Sequence, residues 1–220
     1  MLTFEEVKEN PEVKAYMEKG HQYLGAMGAI EHSWRHIDRV AINSRRILMA
    51  LNYSPHEAEL AAIAGYLHDM GNVVNRYNHG RNGALIVKQI LQRLNMPLED
   101  LSTVLAAIGN HEEKTGTAVT SVSAAVIIAD KVDVHSSRVR KKDIASFTTR
   151  DRVNYAATKS DLEIDTDPNK IIRLRLEIDP AICSVMEYFE IFLTKMLMCR
   201  RAAERLGCKF ELVINGAKLL

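Results

Sequence analysis

A mainly α-helical bundle carrying a small α+β appendage at its C-terminus is the fold this sequence predicts, and three observations support it. Up to about residue 150, apolar residues recur at helical spacing, with capping and breaking signals between the runs. Beyond that point, two stretches alternate apolar and polar residues around a turn signal. Finally, a long amphipathic run opens at Asp179-Pro180 and closes at Gly207.

The elements follow in order. Ser54-Pro55-His56-Glu57 is a capping box with proline at the first helical position. It opens a helix through Ala58, Ala61, Ala62, Ala64 and Leu67 that ends near Asp69, with Gly71 as the stop. A second helix spans Asn82 to Leu94, where Leu85, Ile86, Ile90 and Leu91 form the stripe. Pro97 starts the next, through Leu101, Leu105 and Ile108, and Ser121 to Val134 forms a further buried helix. Six or seven helices with short connections make a bundle over residues 1–150. In residues 151–220, Asp161–Asp165 and Ile172–Ile178 alternate around Asp167-Pro168-Asn169, a β-hairpin. The long helix to Leu206 follows, and Lys209–Ile214 reads as a third strand that completes a sheet.

At 220 residues the chain can bury one good core, or one domain with an appendage. Its 29 basic and 28 acidic side chains nearly cancel, which disfavours binding of nucleic acid through phosphate neutralisation. The run Arg138, Arg140, Lys141, Lys142 reads as a solvated loop. Cys183, Cys199 and Cys208 lack CxxC spacing and read as reduced thiols. The N-terminus is too charged for a signal peptide, and no stretch approaches the roughly 18 apolar residues needed to span a bilayer. A cytoplasmic protein without a membrane role is expected.

Six residues stand out at the edges of these helices: His36, His68, Asp69, His79, His111 and Asp130. Histidine and aspartate fill a core poorly, whereas imidazole and carboxylate together suit divalent iron, manganese, nickel or zinc. At a fraying helix end, the adjacent His68 and Asp69 can reach one centre. A carboxylate such as Asp69 can bridge two cations about 3.5–4 Å apart, as in two-metal hydrolases.

The pattern His36, His68-Asp69, Asp130 resembles the H…HD…D signature of the HD superfamily of metal-dependent phosphohydrolases. The flanks agree. His36-Ile37-Asp38-Arg39-Val40 resembles the H-x-x-R-V opening, Leu67-His68-Asp69-Met70-Gly71 the L-H-D-x-G core, and Ala129-Asp130-Lys131 the A-D-K ending. His79, followed by Gly83-Ala84, and His111 after a helix match the two extra histidines of the dinuclear H-HD-H-H-D type. The resemblance covers residues 30 to 140 and leaves the hairpin and last helix outside it.

The resemblance implies a helical HD domain in which His36, His68, Asp69 and Asp130 hold one metal and Asp69, His79 and His111 a second. It also implies a metal-bridging hydroxide that attacks phosphorus in a nucleotide or other small phosphate ester. Lys131 would neutralise a phosphate oxygen or face water. Glu112 would support His111 or protonate the leaving group. Asn72 stands where many relatives have lysine, so Arg76 or Arg81 would supply that charge. His32, four residues before His36 and so on the same helical face, suits a third-metal ligand, a supporting contact to the ligands or, more readily, a structural role. Asn110-His111-Glu112 lacks most of the HHE…DG…GYP signature of cyclic dinucleotide phosphodiesterases. Two alternatives stay open: a regulatory HD module that senses a nucleotide without turnover, and a di-iron oxygenase. The broad apolar surface of residues 183–206 suggests burial on two sides, hence a homodimer through the C-terminal region.

Overall fold

The computed structural model describes residues 2–28, 34–141 and 143–219. His32 and Lys142 lie outside the described residues. Helices α1 (Phe4–Glu9) and α2 (Pro11–Ala26) lead into a bundle of α3 (Trp34–Ala50), α4 (Pro55–Leu67), α5 (His79–Arg93), α6 (Leu98–Gly109) and α7 (Ser121–Lys131). There follow α8 (Thr149–Ala156), β1 (Ala157–Asp165), β2 (Ile171–Ile178), α9 (Val185–Arg205), β3 (Lys209–Ile214) and β4 (Ala217–Lys218). Among the described residues, no helix is long and apolar enough to cross a membrane.

The capping box at α4 forms as its sequence dictates, with the Glu57 amide donating to Ser54 Oγ over 3.2 Å. From Ala58 onward, nearly every residue of α4 is buried, because α3, α6 and α7 surround it. α7 is buried along almost its whole length for the same reason. A helix apolar all round becomes the axis of the bundle. The ends of α4 and α7 therefore meet deep inside the protein, and that is where His68, Asp69 and Asp130 stand.

Three boundaries differ from the expected ones. α5 begins at His79 rather than Asn82, since Asn78 takes a left-handed conformation (φ 57°) that starts the helix early. α7 ends at Lys131, three residues short of Val134. α9 begins at Val185 rather than beside Pro180. Ser184 and Glu187 form a reciprocal capping box, while Asp179 instead closes a turn onto Cys183.

The appendage is a four-stranded sheet in the order β1-β2-β3-β4. β1 and β2 are the expected hairpin, and β3 lies parallel to β2. Parallel pairing requires a crossover, which α9 supplies. Leu162, Leu174 and Leu212 align across three strands on the buried face. On the other face Arg173 bridges Glu163 (3.0 Å) and Glu211 (2.8 Å). The sheet is tied to the bundle by Ser160 Oγ donating to the Val132 carbonyl (2.6 Å) and Arg46 donating to the Leu162 carbonyl (2.7 Å). α9 packs along α7. Most of its wide apolar surface is buried within this chain, while Met186 and Leu193 stay exposed.

Candidate metal centre

The ends of five helices converge on a single region. His36 lies in the first turn of α3, His68 caps the end of α4, and Asp69 precedes a short 3-10 turn, Met70–Val73. His79 starts α5, His111 follows α6, and Asp130 lies in the last turn of α7. All six are buried. Gly71 brings the His79 segment to Asp69: a Cβ at this glycine would lie 1.9 Å from the His79 carbonyl oxygen and 2.5 Å from the Gly83 nitrogen. Its φ is not in the left-handed range, so the missing side chain, rather than backbone freedom, is what the position requires.

The four imidazoles share one orientation. His68, His79 and His111 each place Nδ1 on a carbonyl three residues back, at Gly65 (2.8 Å), Arg76 (3.0 Å) and Ile108 (2.7 Å). His36 Nδ1 lies 2.7 Å from Asp133 Oδ2. Because carbonyls and carboxylates accept, each Nδ1 carries the proton and each Nε2 presents a lone pair. Those Nε2 atoms face the carboxylates. His36 Nε2 is 3.5 Å from Asp130 Oδ1, and His68 Nε2 is 3.4 Å from Asp69 Oδ2. His79 Nε2 lies 3.1 Å from Asp69 Oδ1 and 2.9 Å from His111 Nε2.

These spacings fit a bound cation. Ligand atoms about 2.1 Å from a common ion, at angles of 90° to 109°, stand about 3.0–3.4 Å apart. Two imidazole lone pairs 2.9 Å apart repel unless a cation or proton lies between them, and buried His68 Nε2 has no hydrogen bond among the described residues. Two overlapping donor groups emerge, His36/His68/Asp130 and His68/Asp69/His111. Asp69 has Oδ2 toward His36 and His68 and Oδ1 toward His79, the disposition a bridge needs. The donor set suits divalent transition metal.

Residues 33–137 match the family model of the HD domain. This chain carries an HD domain. Among solved structures it is similar to a predicted HD superfamily hydrolase from an uncultured Thermotogales bacterium. That similarity is 20% identity over 60% of this chain and 73% of the other, with a TM-score of 0.43. No curated protein matches it.

Electrostatics around the HD-domain cluster favour unprotonated ligands. Burial, reinforced by His68 and His79, pushes His111 well below the usual imidazole range, and burial also lowers His68. Burial works against the Asp130 carboxylate, yet Lys131 and His36 outweigh it and hold the acid far below its ordinary value. Lys131 is itself buried. Asp130 (2.5 Å) and Glu113 (3.1 Å) overcome that burial and keep its ammonium charged. Glu113 is held down at about 2, against burial, by Lys131 and Lys195.

Several expected roles are revised by geometry. Arg81 is exposed and does not line the pocket over the cluster. It follows His79 by two residues, about 200° round α5, so it points away from the ligands. Glu112 accepts from the Gly80 amide (2.6 Å) and lies 3.0 Å from His79 Nδ1, on the side of that ring opposite the cluster. That contact holds the His79 ring from the side away from the cluster, and Glu112 also lines the open basin over the site. Asn72 donates to Asp69 Oδ1 (2.8 Å) and accepts from Arg76 (3.3 Å), so it orients the carboxylate. Arg76 and Lys131 both line the pocket over the HD-domain cluster.

Asp133 was not among the residues the sequence singled out. It is buried beneath His36, with Arg35 (3.3 Å), Arg39 (3.5 Å) and Arg138 (3.7 Å) around it. Its one sequence signal was its place three residues after Asp130. Glu113, Arg150 and Lys195, which also line the pocket, had none.

Proposed function

We propose that this protein is a metal-dependent phosphohydrolase acting on a small phosphate ester, with nucleotides the first class to test. The observation that carries this reading is a pair of features in one place. Four Nε2 lone pairs and two carboxylates converge beneath a narrow polar pocket walled by Arg76, Lys131, Arg138, Arg150 and Lys195. Five cations against three carboxylates leave the pocket positive even before a metal is counted, which selects an anionic substrate.

The HD-domain residues divide the work. His36, His68, Asp69 and Asp130 would hold one divalent ion, and Asp69, His79 and His111 a second. Bound ions would supply Lewis-acid polarisation of the phosphoryl group and activation of water. His68 and His111 stay neutral and ready to ligate at pH 7, because burial disfavours their charged forms. Asn72 fixes Asp69, Asp133 fixes His36, and Glu112 fixes His79. Arg76 and Lys131 stand beside the ligand carboxylates, within reach of phosphoryl oxygens that would lie there.

Elemental analysis, paired with a panel of phosphomonoesters, phosphodiesters and nucleotides, tests this reading. Two bound ions per chain and turnover of one ester class are expected. Less than one ion and no turnover, even after reconstitution with manganese or iron, would refute it. A coloured di-iron protein that consumes oxygen and hydrolyses nothing would establish the oxygenase alternative instead.

A further inference from the structure

The pocket over the cluster is not walled by the HD domain alone. Arg150, in the first turn of α8, and Lys195, midway along α9, lie beyond residues 33–137 yet line that pocket with Asp69, Asp130 and Lys131. Neither has a close carboxylate partner of its own among the described residues. The Lys195 side chain is only 14% exposed; among the described residues its one ion pair, with Glu113, is 3.9 Å long, and its ammonium also lies 4.8 Å from the Phe192 ring centroid. Glu113 is closer to Lys131, at 3.1 Å. A largely buried ammonium held this loosely is under-neutralised. The Arg150 guanidinium makes no hydrogen bond or ion pair among the described residues. It stands where the inner pocket opens into a basin of about 600 Å³ that also shares Arg76, His79 and Glu113.

The cations thus fall into two sets. Arg76 and Lys131 sit against Asp69 (3.8 Å) and Asp130 (2.5 Å), beside the place of a phosphoryl group at the metals. Arg138 is engaged by Asp133 below, donating to its backbone carbonyl over 2.6 Å. Lys195 and Arg150 remain. Both line the inner pocket, and Arg150 also lines the basin. A single phosphoryl group already met by Arg76, Lys131 and metal has no need of them. A lysine and a guanidinium lining one pocket are the groups that grip a phosphate, the first as a point charge and the second as a fork.

We propose that Lys195 and Arg150 form a second phosphate subsite, so that the preferred substrate carries a diphosphoryl group rather than an isolated phosphate. This rests on the phosphohydrolase reading above, and it gives the C-terminal appendage a direct part in substrate choice.

Calorimetric titration of the full chain in chelator with inorganic phosphate, inorganic pyrophosphate and a nucleoside diphosphate tests the subsite without catalysis. Pyrophosphate is expected to bind about tenfold more tightly than phosphate, and Arg150→Ala or Lys195→Met to erase most of that preference. Lys195→Arg should retain it, as should Arg200→Ala on the exposed side of α9. Arg150 is exposed, so its variant decides the matter even where Lys195→Met fails to fold. Equal binding of phosphate and pyrophosphate, or an unchanged preference in Arg150→Ala, overturns the proposal. A nucleoside diphosphate that binds more tightly than pyrophosphate identifies an organic diphosphate as the source, and equal binding identifies the diphosphoryl group alone. The two readings fail separately. Turnover of esters with no pyrophosphate preference sinks the subsite only. A preference lost with Arg150 in a protein that hydrolyses nothing sinks the hydrolase and keeps the subsite.

Discussion

His36, His68, His79 and His111 point their Nε2 atoms inward because each Nδ1 is held from behind, three by a carbonyl one helical turn back and one by Asp133. The three carbonyl contacts are local, so the chain carries them wherever the helix ends go. The fourth is not, since Asp133 reaches His36 across 97 positions of sequence. Asp133→Asn keeps the shape but weakens the hold on the imidazole and removes a charge that Arg35, Arg39 and Arg138 surround. Metal affinity should fall by about 10- to 100-fold, as measured by competition with a chelating dye, while the fold persists by circular dichroism. An unchanged affinity would mean that Asp133 serves the arginines only. Asp69→Ala goes further and should abolish binding of both ions and all turnover; surviving activity would mean the proposed centre is wrong.

At the scale of elements, the centre depends on where helices stop. α4 must end at Leu67 and α5 must begin at His79 for His68, Asp69 and His79 to face one point. Gly71 holds the two together by letting backbone touch backbone. Gly71→Ala would drive a methyl into the His79 carbonyl and should cost about 2–4 kcal/mol in chemical denaturation, with metal affinity lost as His79 moves away. A variant as stable as the parent would show that α5 can shift without penalty. The sequence showed this glycine but suggested a helix stop, because pattern reveals a missing side chain and not what approaches it. Arg81 was misread for a related reason. Its nearness in sequence to His79 suggested a shared site, and two residues on a helix point to opposite sides.

For the whole molecule, six buried titratable groups held for a cation are a cost to the fold until the cation binds. Adding manganese at 100 times its dissociation constant should stabilise the chain by about 2.7 kcal/mol per ion, visible as a rise in Tm that EDTA reverses. Without metal, His68 and His111 titrate below their unfolded value because burial disfavours their charge. Below about pH 6.5 the unfolded chain takes up protons that the fold does not, so stability is full above that pH and falls as pH drops. Asp130 and Asp133 add a loss in the same direction below about pH 4, since both are lowered in the fold. Thermal melts in EDTA between pH 7.5 and 5 should show a declining Tm; a flat profile would contradict buried, neutral imidazoles.

The sequence by itself determined the class of the fold, the hairpin and third strand, and the ligand-type residues at helix ends. Each of these is written locally, in apolar period, capping residues and residue chemistry. The start of α9 could have been read there too, in Ser184 and Glu187. Only the tertiary structure decided that β3 runs parallel to β2, that Asp133 backs His36, and that Arg150 and Lys195 line the pocket beside Lys131. Those contacts join residues about 20 to 100 positions apart, and nothing in periodicity or spacing encodes which distant charges the packing of α7, α8 and α9 will bring face to face.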